Sequence, residues 1–158
     1  MSYRITAVSS IQEIGLEDWD LCGNSNAFPY DPFLTFTFLD ALEKSNSAVS
    51  DTGWTPYHLK LEDDKGDRVL AVVPMYLKNH SAGEYVFDHS WADAFERAGG
   101  RYYPKFQIAV PFTPATGRRL LIRSDQDQEK IGRYLIRGLM QIAGKTGVSS
   151  VHITFANK

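Results

Sequence analysis

Short runs in which apolar and polar side chains alternate predict five β-strands along the chain. Residues 57–61 alternate in this way, and an apolar run follows the turn-forming residues 63–67, so the two arms are predicted to form a β-hairpin. Pro74 cannot donate a ladder hydrogen bond, and it therefore marks a bulge or an edge-facing position in the second arm. The predicted strands cover residues 3–8, 57–61, 69–77, 105–110 and 149–155.

Apolar residues at helical spacing predict four helices. The longest has an apolar stripe that ends near Gly147, and Ser124 with Asp127 forms a capping box before it. Ser90 with Asp93 forms a second capping box, before a shorter stripe that ends at a Gly-Gly pair. The predicted helices cover residues 16–22, 35–45, 90–98 and 124–147. The two stripes consist of Trp91, Ala94, Phe95 and Ala98, and of Ile131, Leu135, Leu139 and Ile142.

The order of these elements predicts an α/β (α+β) fold. We expect a mixed, mostly antiparallel sheet with the two early helices on one side and the long helix on the other. No internal repeat or low-complexity linker interrupts the pattern, so residues 1–158 are predicted to form one domain. Aromatic residues at helical or strand spacing usually belong to the core. This assigns to the core Trp91, Phe95, Phe106 and Phe112.

Composition and charge narrow the classes of function. A net charge of −2 argues against a protein that mainly coats nucleic acid or anionic membrane, because both tasks need a large positive field. The single cysteine, Cys22, cannot form an internal disulfide, and no Cys/His spacing resembles a zinc site, so no metal site is predicted. No apolar run has the length of a signal peptide core or of a membrane span. The default expectation is a cytoplasmic protein.

Several segments together resemble a known family. Tyr-Tyr-Pro-Lys at 102–105 and Val-Pro-Phe-Thr-Pro at 110–114 are the most specific, and residues 83–88, 91–97 and 26–42 also fit. They resemble a bacterial family described as FemAB-like and linked by name to peptidoglycan biosynthesis or recognition. The resemblance implies a relative of the GNAT acyltransferases, with the donor an acyl-CoA or an aminoacyl-tRNA. The implied acceptor is a small-molecule amine or a cell-wall precursor.

The chain departs from that family pattern in two ways. Acetyl-CoA enzymes of the superfamily bind pyrophosphate with a Gly-rich loop before the long helix, whereas residues 113–119 lack the Gly-x-Gly/Ala spacing. Acidic residues Asp125, Asp127 and Glu129 follow, so we expect no micromolar binding of acetyl-CoA. Family members are also longer, which predicts that residues 1–158 are the front half of a larger, GNAT-like protein.

The candidate catalytic residues are Asp88, His89 and Tyr103. Asp88 and His89 precede a predicted helix, where either could accept a proton from an attacking amine. The alternative is that Asp88 caps the helix and His89 is a solvated loop residue. The tyrosines and Lys105 could meet an anionic or sugar-like ligand, or the tyrosines could be core aromatics. The ligand-binding candidates in the resembling segments are Tyr85, Trp91, Tyr102, Lys105, Phe112 and Thr113. Arg119, in the loop before the long helix, is a further ligand-binding candidate.

Two further features of the sequence bear on contacts with other macromolecules, namely a basic segment and an unpaired strand edge. Residues 117–145 carry seven basic side chains, for which a tRNA contact is one interpretation and a solvated helix face is the favoured one. The predicted closing strand, residues 149–155, leaves an edge that no later strand in this sequence covers. An unpaired edge favours strand pairing between copies, so a homodimer through this strand is expected.

Overall fold

The computed structural model describes residues 2–86 and 88–157, and within them it is a mixed α+β fold with mostly antiparallel strands. The helices are α1 (Leu16–Gly23), α2 (Phe36–Lys44), α3 (His89–Arg97) and α4 (Gln128–Thr146). The strands are β1 (Tyr3–Val8), β2 (Thr55–Pro56), β3 (His58–Asp63), β4 (Val69–Val73), β5 (Met75–Lys78), β6 (Lys105–Ile108), β7 (Leu121–Ile122) and β8 (Val151–Ile153). Each predicted strand and helix is present, with shifted ends.

The described strands form two four-stranded sheets where the sequence predicted one. The first has the order β1-β3-β4-β7 and the second β2-β5-β6-β8, in which β6 and β8 run parallel. Pro74 stands between β4 and β5, which belong to different sheets. Because proline lacks an amide donor, the ladder stops there and the chain crosses from one sheet to the other. The sequence predicted a bulge or an edge-facing position at Pro74, whereas the structure has a break there that divides the sheet.

Helices cover both faces of the first sheet, as predicted. On one face, α4 packs its stripe of Ile131, Leu135 and Leu139 against strand residues that include Leu61 and Ala71. On the other, α1 and α2 contribute a second cluster, in which the fully buried Trp19 packs near Val72 of β4. Val72 of β4 thus belongs to the second core and its neighbours Ala71 and Val73 to the first, as the period of a strand requires.

The start of both predicted capping-box helices is wrong. Helix α3 begins at His89 with Asp88 as its N-cap, not Ser90. Helix α4 has Asp127 as its N-cap, whose side chain accepts from the Lys130 amide 3.0 Å away, and Ser124 lies before it. Helix α4 therefore starts at Asp127, whose carboxylate satisfies a free amide of the helix N-terminus. The Asp88 side chain makes no such cap bond, because its carboxylate accepts from Lys105 and Tyr102 instead.

The predicted core stripe of α3 is also wrong. Eight of its nine residues are exposed, with Trp91 74% and Phe95 50% accessible, and only Ala92 is buried. Phe112 is 39% accessible, whereas Phe106 is fully buried as expected. Helical spacing showed that one face of α3 is apolar, but no element of the described chain packs on that face. Of the described helices, none combines the length and apolar character that crossing a membrane requires.

Candidate functional site

Two lysines face each other where β5 ends and β6 begins. The strand register places Lys78 directly opposite Lys105, and both side chains are fully buried. Like charges directly opposite in antiparallel strands repel, and burial removes the water that would screen them. The connection between the strands, residues 79–104, must therefore supply groups that compensate the charge.

That connection places two carboxylates on Lys105. The Lys105 Nζ donates to Glu84 Oε2 at 2.8 Å and to Asp88 Oδ2 at 2.7 Å, and its third bond reaches Ser81 Oγ at 3.0 Å. These bonds use all three protons of the ammonium group. Glu84, Asp88 and Ser81 are buried as well, so Lys105 is a fully paired cation inside the protein.

Two tyrosines complete this arrangement. Tyr102 Oη donates to Asp88 Oδ2 at 2.8 Å, and Tyr103 Oη lies 2.6 Å from Ser81 Oγ. The Lys105 Nζ stands 5.5 Å and 5.8 Å from the centroids of their rings, within the range of a cation–π contact. We call the following seven residues the Lys105 cluster: Lys78, Ser81, Glu84, Asp88, Tyr102, Tyr103 and Lys105.

Lys78 is held differently from Lys105. Its Nζ lies 3.7 Å from the ring centroid of Trp54 and donates to the Ala82 carbonyl at 3.2 Å; among the described residues it has no ion pair. Burial lowers the pKa of Lys78 to about 8, with the charge of Lys105 adding to this effect and that of Glu84 opposing it. Near neutral pH a fraction of Lys78 is therefore a neutral amine that can accept a proton.

The two carboxylates differ in basicity. Burial by itself would raise the pKa of Asp88, but hydrogen bonds from Lys105, Ser81 and Tyr102 hold it at about 2. Burial raises the pKa of Glu84, against the hydrogen bond from Lys105. Glu84 Oε1 and Asp88 Oδ1 are buried and accept no hydrogen bond within residues 2–86 and 88–157. Asp88 is thus ionised at neutral pH and is a weak base there.

The structure brings together four of the residues predicted from the sequence. Asp88, Tyr102, Tyr103 and Lys105 contact one another, as expected. The Gly-Gly end of the short predicted helix lets the chain fold back, which predicts that these four side chains converge on one concave surface. They meet inside the protein instead, because Lys105 has no accessible area. Their catalytic and ligand-binding roles stay predictions.

The remaining candidates lie around the cluster or apart from it. Tyr85 and Trp91 are 56% and 74% accessible, and His89 is exposed too. The ring of Phe112 packs 5.6 Å from that of Trp54, and Trp54 in turn contacts Lys78. Phe112 therefore contacts the Lys105 cluster only indirectly.

Two candidates make only local contacts in the structure. Thr113 Oγ1 donates to the Pro111 carbonyl at 3.0 Å. Arg119 is 3% accessible, and its guanidinium donates to three backbone carbonyls. Those carbonyls belong to Ala115, Arg118 and Thr154. Both side chains thus stabilise the segment that follows β6.

Sequence reasoning missed Lys78, Ser81, Glu84 and Trp54. One signal was available for Lys78, because it is the charged residue that ends the apolar run of residues 69–77. A lysine adjoining such a run can be buried if acids lie close in the chain, and Glu84 is six positions on. Only the strand register shows that Lys78 stands opposite Lys105. Within residues 2–86 and 88–157, no three side chains of the metal-binding types converge.

Comparison with known proteins identifies the family of the chain. Among solved structures, the glucosamine-6-phosphate N-acetyltransferase of Arabidopsis thaliana is similar with a TM-score of 0.49 and 11% identity, over 97% of this chain and 82% of that one. No curated protein matches significantly. The FemAB-like family, described as peptidoglycan biosynthesis/recognition, matches residues 10–158, which is almost the whole chain. The chain therefore belongs to the FemAB-like family.

Proposed function

We propose that this protein is an acyltransferase that moves an acyl or aminoacyl group onto the amine of a cell-wall precursor. The family description supports a link to peptidoglycan chemistry. The observation that carries the proposal is the Lys105 cluster, in which segments that resemble the family come together around Lys105. Lys78, whose pKa is lowered, lies opposite Lys105 in the strand register.

The chemistry needs a group that removes a proton. An amine attacks the carbonyl carbon of an acyl donor only as the neutral base. As the new C–N bond forms, the nitrogen must lose a proton, and the thioester or ester bond of the donor breaks to release free CoA or tRNA. Lys78, with a pKa of about 8, is suited to accept that proton near neutral pH. Asp88, with a pKa of about 2, is too weakly basic. We therefore assign the role of base to Lys78, and to Asp88 the role of holding Lys105 and Tyr102 in place.

Access to Lys78 requires movement of the connection that covers it. Residues 79–88 lie between Lys78 and the start of α3, and Gly83 and Tyr85 in this connection have positive φ values of 78° and 56°. A tyrosine in the left-handed region is uncommon and often marks a ligand-binding segment. We propose that acceptor binding at Tyr85 displaces Ala82, whose carbonyl accepts from Lys78, and opens the way to Lys78 while Glu84 and Asp88 stay paired with Lys105.

The experiment is a transfer assay with Lys78→Met. The protein is supplied with acyl-CoA or aminoacyl-tRNA donors and with amine acceptors, including a muramyl peptide, and wild-type activity should rise with pH up to about 8. Lys78→Met should lose transfer while folding more stably, because the folded chain no longer buries a charge below pH 8. A pKa lowered from 10.5 to about 8 corresponds to about 3 kcal/mol.

Lys145→Met serves as the matched control, since Lys145 is exposed on α4. It should change neither transfer nor stability. A Lys78→Met variant that transfers as fast as wild type would remove Lys78 from the mechanism.

A non-catalytic recognition module is the second candidate. It is favoured by the burial and mutual pairing of Lys105, Glu84 and Asp88, which leaves these three charged side chains with little exposed surface. In that case the wild type would bind a muramyl peptide, and no donor would be consumed. Lys78→Met would then bind the peptide as tightly as wild type.

A further inference from the structure

A second site lies away from the Lys105 cluster, between two loops that the proposed reaction does not use. Residues 28–34 form one wall and residues 115–118 the other, with Asn157 beside them, and they enclose about 410 Å³. Clefts that bind small molecules usually have volumes of a few hundred Å³ or more. The loop after β6 and the segment after β8 meet here, so the pocket stands at the carboxyl ends of the parallel strands.

Both walls are fixed by hydrogen bonds before any ligand arrives. The Asn24 side chain accepts from the Asp31 amide at 2.8 Å and donates to the Asp31 carbonyl at 2.9 Å. On the other wall, the Gly117 amide donates to the Phe155 carbonyl at 2.9 Å, and the Gly117 carbonyl accepts from Asn157 at 3.0 Å. A Cβ at Gly117 would stand 2.6 Å from Asp31 Oδ2, so only glycine lets the walls approach this closely. A pre-organised pocket loses less entropy when it binds.

The charges in this pocket disfavour a phosphate-bearing ligand. Among the described residues that line it, Arg118 is the only cation and Asp31 the only anion. The Arg118 guanidinium stacks 3.8 Å from the centroid of Phe28 and donates to the carbonyls of Cys22 and Gly23 at the end of α1. Both terminal nitrogens of the guanidinium therefore already donate to the protein, and the neighbouring Asp31 carboxylate would repel a phosphate.

The remaining groups suit an uncharged ring that carries hydroxyls. The Tyr30 ring is 72% accessible and offers a face on which the C–H groups of a sugar can pack. Asp31 Oδ2, the Thr116 hydroxyl and the Asn157 side-chain amide make no hydrogen bond to any residue in 2–86 or 88–157. They provide acceptors and donors beside the apolar face, as hydroxyl recognition requires.

We infer that this pocket binds an uncharged saccharide, with Tyr30 as the stacking platform and Asp31 as a hydroxyl acceptor. The assignment rests on the pocket itself and not on acyl transfer. It adds a recognition site at a different place from the Lys105 cluster.

The test is an NMR titration of the ¹⁵N-labelled chain with N-acetylglucosamine and its β-1,4-linked disaccharide. Saturable shifts are expected for amides of residues 28–34 and 115–118. Tyr30→Ala and Asp31→Asn should each weaken binding about tenfold, the scale of one aromatic contact or one charged hydrogen bond. Met140→Ala removes another exposed apolar side chain, on α4, and should leave the affinity unchanged.

Three outcomes would overturn the inference. One is the absence of saturable shifts with either saccharide. Another is a set of shifts that maps to the Lys105 cluster. The third is saturation of the pocket amides by coenzyme A or UDP but by neither saccharide. An unchanged spectrum outside the pocket shows that each variant is folded. No acyl donor is present, so failure here leaves the proposed transfer reaction untouched.

Discussion

Replacement of Lys105 by methionine tests whether the buried cluster is a charged unit. Lys105 makes hydrogen bonds of 2.8 Å and 2.7 Å to Glu84 and Asp88, and its side chain has no accessible area. Methionine fills much of the space of the lysine stem but supplies no donor. Lys105→Met therefore leaves two carboxylates inside the protein without their common partner.

The size of the effect follows from that geometry. Removing one partner of a buried ion pair costs about 3–5 kcal/mol, because the other charge stays desolvated. Neutralising both acids as well, in the triple variant Lys105→Met, Glu84→Gln, Asp88→Asn, should recover part of that loss. In the single variant the pKa of both carboxyls should rise. Its stability deficit should therefore shrink as the pH falls through these raised values towards the ordinary carboxyl pKa values of 3.8 and 4.5.

Urea denaturation followed by circular dichroism measures these differences in the free energy of unfolding. Arg133→Met is the control, since Arg133 pairs with Glu129 at a surface where both side chains are more than 70% accessible. That pair should contribute about 0.5 kcal/mol or less. A loss below about 1 kcal/mol for Lys105→Met, similar to the control, would refute the reasoning, because it would mean that water reaches the two carboxylates.

Three further measurements address other parts of the molecule. The pKa of Asp88 falls from 3.8 to about 2 on folding, so Asp88 should contribute about 2 kcal/mol of stability that is present above pH 3.8 and is lost as the pH falls towards 2. Acid denaturation measures this loss, and Asp88→Asn should lack it. The Cys22 thiol is fully buried, and burial raises its pKa to about 12. It should therefore react with a thiol reagent only after unfolding, and rapid reaction in the native state would contradict this prediction. The outer edge of β8 pairs with no described strand, and Ile153 is 43% accessible. Light scattering should therefore find a dimer that Ile153→Lys dissociates, and a monodisperse monomer for both the wild type and the variant would exclude the dimer.

The sequence determined the local elements because their signals are local. Alternation at residues 57–61, the missing donor of Pro74 and the apolar stripe of α4 each depend on neighbours a few positions apart. The structure contains the corresponding hairpin, break and helix. The sequence also predicted that Asp88, Tyr102, Tyr103 and Lys105 converge, because the Gly-Gly end of the short helix between them lets the chain fold back.

Only the tertiary structure decided which groups surround those residues. The apolar face of α3 looks like a core face in sequence, and whether another element packs on it depends on chain packing over long distances. The position of Lys78 opposite Lys105 is set by strand register, which no single segment encodes. Burial then shifts the pKa of Lys78 and of Asp88 in ways that depend on every neighbouring group. The elements followed from neighbours in sequence, whereas the charged cluster and its basicity arose from neighbours in space.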